Sequence, residues 1–196
     1  MAGYGRRRVV GMGLVGAVAL ALGGCASAQG GRPRSGATTP TSDGRFASFT
    51  EYVPDKLEIR TDLGRLDRRM PGITISSAHW VAQYWQEKRE LLPPQDRPIW
   101  VHGVMTLEPA STRALAEAST GKADPLPGIY PDLRQYVPQG KVFTTVPKEK
   151  AEEILDVKHM MRDDPNAHGS DGVGVDQAAV CTDANLLILM ANEHIF

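Results

Sequence analysis

Hydrophobic and polar positions divide the chain into three stretches of different character. Residues 9–22, VVGMGLVGAVALAL, form a single apolar run interrupted only by glycine. Residues 26–45, ASAQGGRPRSGATTPTSDGR, have three alanines as the only apolar side chains among 20 positions. That is too little burial to offset the entropy of ordering, so this stretch reads as a disordered tether. From residue 46 onward the apolar positions become periodic, which is the main local signal for helix or strand.

Within that third stretch, Thr61 is the expected N-cap of a short helix. Leu63, Leu66 and Met70 share one face before Pro71 stops it. Residues 73–85 and 99–107 read as two strands joined by a charged, proline-containing connection over 86–98. Pro109 suits the first turn of a helix with Ala110, Ala114, Leu115 and Ala118 as its apolar stripe. A loop with Pro125, Pro127, Pro131 and Pro138 leads to an amphipathic helix over 148–160, where Ala151, Ile154, Leu155 and Lys158 follow helical spacing. The chain closes on a hairpin: residues 173–182, a turn at 183–185 with Asn185 left-handed, and a strand over 186–191 that is apolar on both faces and therefore central and covered. The pattern predicts an α+β domain, a mostly antiparallel sheet of about four strands with three or so packed helices.

A symmetric connection in the middle hairpin places Trp80 opposite Gly103. One face then carries Ala78, Trp80, Ala82 and Tyr84 against Ile99, Val101 and Met105, a sensible core. The other face carries His79 and Trp85 beside Trp100 and His102, a mixed polar and aromatic surface that could bind a ligand. The two imidazoles would be diagonal neighbours, about 7–8 Å apart, and a one-residue slip of register would separate them.

The start of the chain changes the picture. Residues 1–24 hold 14 apolar residues and no acid, with Arg6, Arg7 and Arg8 ahead of the apolar run. Basic n-region, short apolar h-region and small residues before a cut make up a secretory signal. A spanning helix needs about 20 apolar residues, which residues 9–22 do not supply. Leu22-Gly23-Gly24-Cys25 resembles the bacterial lipobox, a leucine and two small residues before a cysteine. That resemblance implies diacylglyceryl transfer to the Cys25 sulfur, cleavage after Gly24, and a protein held by lipid on the extracytoplasmic face of the cell membrane. A free thiol at Cys25, or ordinary cleavage nearby, is the competing account. The three arginines also resemble a loose twin-arginine signal, so either export route fits. Beyond the lipobox, residues 61–66 and 99–115 are similar to small uncharacterised bacterial lipoproteins, a likeness that implies no activity. The expected organisation is a signal over 1–24, lipidated cysteine and tether over 25–45, and one extracytoplasmic domain over 46–196.

The whole chain has 22 basic and 23 acidic side chains, but six of the arginines and one aspartate lie before residue 46. The domain therefore carries 16 basic and 22 acidic residues, a formal charge of −6 that removes the electrostatic driver for nucleic acid. Chemical signals are incomplete. His79 and His102 lack a third metal ligand fixed by spacing, so no metal and no cofactor is expected. Asp164–Gly169 imitates the start of an EF-hand loop but has His168 and Val175 where oxygen ligands belong. His168, Ser170 and Asp171 are close in sequence without the parts of a triad. Cys181 suits a small buried hydrophobe in a strand. The expected role is non-catalytic binding of an envelope protein or small ligand, with Trp85, Trp100, His79 and His102 as candidate contacts and the lipid bilayer as partner through Cys25. Two alternatives stand beside it: an envelope hydrolase using His79 or His102, and a structural or immunity-like envelope protein.

Overall fold

The computed structural model describes residues 43–88, 98–159 and 172–194. The EF-hand-like stretch and the His168, Ser170, Asp171 group lie outside the described residues, as do the expected signal and lipobox and nearly all of the expected tether. The fold is α+β, built on an antiparallel sheet, as the periodicity predicts. The sheet has six strands where the pattern suggested about four: β1 (Ile75–Tyr84), β2 (Ile99–Leu107), β3 (Thr120–Lys122), β4 (Thr144–Val146), β5 (Gly172–Cys181) and β6 (Leu186–His194), in spatial order β1-β2-β6-β5-β4-β3. The two unforeseen strands have three residues each, too short to show alternation.

Residues rich in β-branched and aromatic side chains make the long strands, and β2 ends where proline forces a change of backbone. Glu108 is extended, with φ −64° and ψ 147°, and Pro109 opens α1 (Pro109–Glu117), apart from an earlier one-and-a-half-turn helix over Gly64–Arg69 that we call α0 for its position ahead of the sheet. The third helix, α2 (Lys148–Leu155), stops at Asp156, which takes the left-handed conformation and donates its N–H to the carbonyls of Glu152 and Glu153. Its end therefore falls five residues before the expected one at 160, and Lys158 does not lie on the helical stripe. It doubles back to Glu152, 2.9 Å away.

Two further local expectations are corrected. Helix α0 starts at Gly64 with no side-chain cap, so Thr61 is not its N-cap. Arg60 forms a two-way backbone bridge with Trp80 (2.8 and 3.0 Å), and the Asp62 carbonyl accepts the Trp80 indole N–H at 2.9 Å. These contacts fix the chain on either side of Thr61, ahead of the helix. On α1 the buried residues are Thr112 and Leu115, while Ala110 and Ala114 are exposed. An alanine gains little by burial, so Leu115 decides which side turns inward, and Thr112 comes with it because its hydroxyl donates to the Glu108 carbonyl at 3.3 Å.

The central strand β6 lies between β2 and β5 and is covered on both faces, as its sequence required. Leu187, Leu189 and Ala191 join one core with Trp80, Met105, Leu115, Ala151 and Leu155 under the helices. Ile188 joins a second core with Val81, Trp100, Leu133 and Phe143. That second face is covered by two distant segments, residues 46–59 and 123–143, which are coil except for a 3-10 helix over Pro131–Tyr136. Ala47 N–H donates to Leu126 O and Leu126 N–H to Arg45 O, both at 2.8 Å, which ties the two segments together.

Candidate functional site

The hairpin register is the one expected, with Trp80 opposite Gly103, His79 opposite Val104 and Val81 opposite His102. The two imidazoles are therefore diagonal neighbours on the coil-covered face. The coil keeps much of this face from solvent. Trp100 and His102 are buried, and Phe49 meets the edges of Trp100, His102 and Tyr130 at centroid distances of 6.0, 5.9 and 5.7 Å. Nδ1 of His102 accepts the backbone N–H of Tyr130 at 3.1 Å, which requires an unprotonated nitrogen there. Burial pushes the His102 pKa down to about 4, so the ring is neutral at ordinary pH. His79 stacks on Tyr136, with centroids 3.7 Å apart and planes 11° from parallel.

The four candidate contacts thus separate. Trp100 and His102 are joined within one buried aromatic group, 4.7 Å between centroids, and His79 is engaged by Tyr136 beside it. Trp85 is 53% exposed, beyond the end of β1. Phe49, Tyr130 and Tyr136 complete the cluster and were not foreseen, because they belong to coil and to a short 3-10 helix (Pro131–Tyr136) whose apolar positions give no periodic signal. Among the described residues, no group of three or more His, Cys, Asp or Glu is placed to hold a metal ion, and no helix is long and apolar enough to cross a membrane. Cys181 is buried in β5, the position its sequence context suggested.

Two charged groupings went unrecognised in the sequence. On the helical face, Glu193 of β6 is buried between Arg65 and Arg69 of α0; Arg65 Nη2 lies 2.7 Å from Oε2, and Arg69 meets Oε1. The spacing of four along a helix puts both guanidiniums on one side. This trio fastens α0 to the sheet beside a narrow apolar crevice that includes Leu66, Met70 and Trp80. On the other side of the molecule, a cleft of about 310 Å³ is lined by Arg45, Lys122, Asp124, Lys141, Leu126 and Phe143, among others. Arg45 pairs with Asp43 at 2.8 Å and donates to the Pro138 carbonyl at 3.2 Å; its hydrogen bond holds the Asp43 carboxyl below the usual range. Of these two groupings only the cleft is open enough to receive a ligand. No protein-family model, curated protein or solved structure matches the chain.

Proposed function

We propose that the protein is a lipid-anchored module of the cell envelope, displayed on the extracytoplasmic face of the membrane and acting by binding or interaction instead of catalysis. The observation that carries the address is the order of Arg6-Arg7-Arg8, the apolar run over 9–22, and Leu22-Gly23-Gly24-Cys25. Each buried methylene of a lipid contributes about 0.8 kcal/mol, so two acyl chains on Cys25 suffice as an anchor. The burial of His102 favours binding over a hydrolase that uses it, because a general base must reach its substrate, whereas Nδ1 of His102 accepts a backbone N–H within a buried group.

Cell fractionation of the wild type and Cys25→Ala tests the address. The wild type should remain with membranes after a high-salt wash, and Cys25→Ala should either appear in the soluble fraction or accumulate as uncleaved precursor. Wild-type protein released by salt alone would defeat the reading. The substituted domain should keep its melting temperature, since position 25 precedes the packed segment.

A further inference from the structure

The cleft bounded by Arg45, Lys122 and Lys141 stands where the tether enters the domain, because Arg45 is the last tether residue and also part of the cleft wall. Three cations and one carboxylate, Asp124, line it, with Asp43 paired to Arg45 and an exposed Asp183 near Lys141, in a chain whose domain carries −6. Elsewhere the balance is reversed: the cleft along α2 is lined by Glu149, Glu152, Glu153 and Asp156 with Lys158. Both lysines of the basic cleft follow a left-handed glycine, Gly121 with φ 52° and Gly140 with φ 72°. Gly121 also sits at the register shift between β3 and β4. Those turns need glycine, and they deliver two lysines distant in sequence to one opening.

The acidic partners in place are weak competitors. Lys122 meets Asp124 at 2.8 Å with both side chains about two-thirds exposed, and Lys141 lies 3.9 Å from an exposed Asp183. Exposed pairs of this kind contribute little and yield readily to a better anion. Arg45 is more firmly held, through Asp43 and the Val137 and Pro138 carbonyls, and gives the cleft a fixed wall. The floor is apolar, with Leu126 and Phe143 buried.

We propose that this cleft docks the domain onto anionic phospholipid headgroups, taking a phosphate diester between Lys122 and Lys141 against the wall that Arg45 makes. The inference rests on the lipid-anchor reading, which brings the cleft and the bilayer together. Read from composition as a coil, residues 26–42 would span roughly 20–25 Å, which would present the headgroups at high effective concentration, so that even a weak site fills. The remainder of the acidic surface is repelled by the same headgroups, which orients the domain with the cleft inward.

The test uses the full chain extracted from membranes in detergent, with the mass of its Cys25 peptide read first. An unmodified Cys25 overturns the anchor reading itself. With Cys25 acylated, the protein is reconstituted into vesicles of phosphatidylglycerol or of phosphatidylcholine, and amide hydrogen exchange is followed over 120–124 and 139–143. Exchange in those segments should be several-fold slower in phosphatidylglycerol, and the difference should disappear in Lys122→Glu/Lys141→Glu. Each lysine engaged at the surface corresponds to about a fivefold effect. Equal exchange in the two lipids overturns the proposal while leaving the anchor intact. Equal protection by soluble glycerol phosphate in phosphatidylcholine vesicles would also overturn it, by assigning the cleft to a free phosphate ligand. Unchanged exchange elsewhere in the charge-reversed variant verifies that it is folded.

Discussion

Trp80 and Trp100 come from the two strands of one hairpin and are both buried, yet they lie under different kinds of cover. Trp80 faces helices whose own apolar stripes are periodic, and joins a core with Leu66 of α0, Leu115 of α1 and Leu155 of α2. Trp100 faces coil and a 3-10 helix, and among the residues that enclose it Phe49 lies more than eighty positions from Tyr130 and Leu133. The helical cover is held by an apolar stripe, which tolerates many sequences of the right period. The coil cover is held by individual contacts: the Phe46–Leu126 bridge, the Leu57 N–H donated to Tyr130 Oη at 3.3 Å, and the Tyr130 N–H donated to His102. These contacts close the second core between residues far apart in sequence, and one of them involves a titratable group, His102.

That contrast can be broken most forcefully at the tryptophans. Trp80→Ala should cost about 4 kcal/mol, measured by denaturant titration, because it leaves a large cavity and orphans the Asp62 carbonyl. Exchange under native conditions should then distinguish the faces, with amides of 46–59 opening locally while those of β6 open only with global unfolding. Uniform exchange across both covers would contradict the distinction. Next in size, Glu193→Ala should cost about 3 kcal/mol, since two partly buried guanidiniums lose their shared carboxylate. Glu193→Ala combined with Arg65→Met and Arg69→Met should recover part of that loss. No recovery would mean that the trio does more than neutralise charge.

The coil face has its own signature in acid. Burial lowers the His102 pKa from 6.5 to about 4, so between those values the unfolded chain binds a proton that the folded chain refuses. Stability therefore falls as pH drops through that window, by an amount of order 2 to 3 kcal/mol, and His102→Gln should flatten the dependence. A pH profile unchanged by the substitution would remove His102 from the account. The smallest effect belongs to the helical side. Strand β4 pairs with β5 only at Ala178–Val180, and farther along the Val175 N–H is received by Glu152 at 3.2 Å. Burial works against ionised Glu152, but Lys158 and the Val175 N–H outweigh it and hold the carboxyl below its usual range. Glu152→Ala should cost about 1 kcal/mol near neutral pH and progressively less as the medium falls through the depressed native pKa, read from thermal melts at several pH values.

Legibility in the sequence follows the same division. Strand β2 begins and ends at the predicted residues, Asn185 is left-handed with φ 51°, and Trp80 faces Gly103, because alternation and turn chemistry are local. The stripe on α1 was misplaced because alanine is a weak marker of burial, whereas Leu115 was correctly read as buried. Strands β3 and β4, the aromatic closure by Phe49, Tyr130 and Tyr136, and the basic cleft were not legible. Each depends on coil segments meeting across the fold, and no local rule specifies where an aperiodic chain will lie. For the candidate contacts the residue types were read correctly, but the coil that buries Trp100 and His102 could not be seen in the pattern of β2 alone. The proposed lipobox would be a local signal read by an export pathway instead of by folding, and it lies outside the described residues.

The most direct test of the central claim is therefore chemical: intact-mass and N-terminal peptide analysis of the protein extracted from membranes. The account predicts a mature chain beginning at Cys25 and heavier than its sequence by a diacylglyceryl group, with or without a further acyl chain on the amine. A chain still beginning at Met1, or a mature one with an unmodified cysteine, would contradict it.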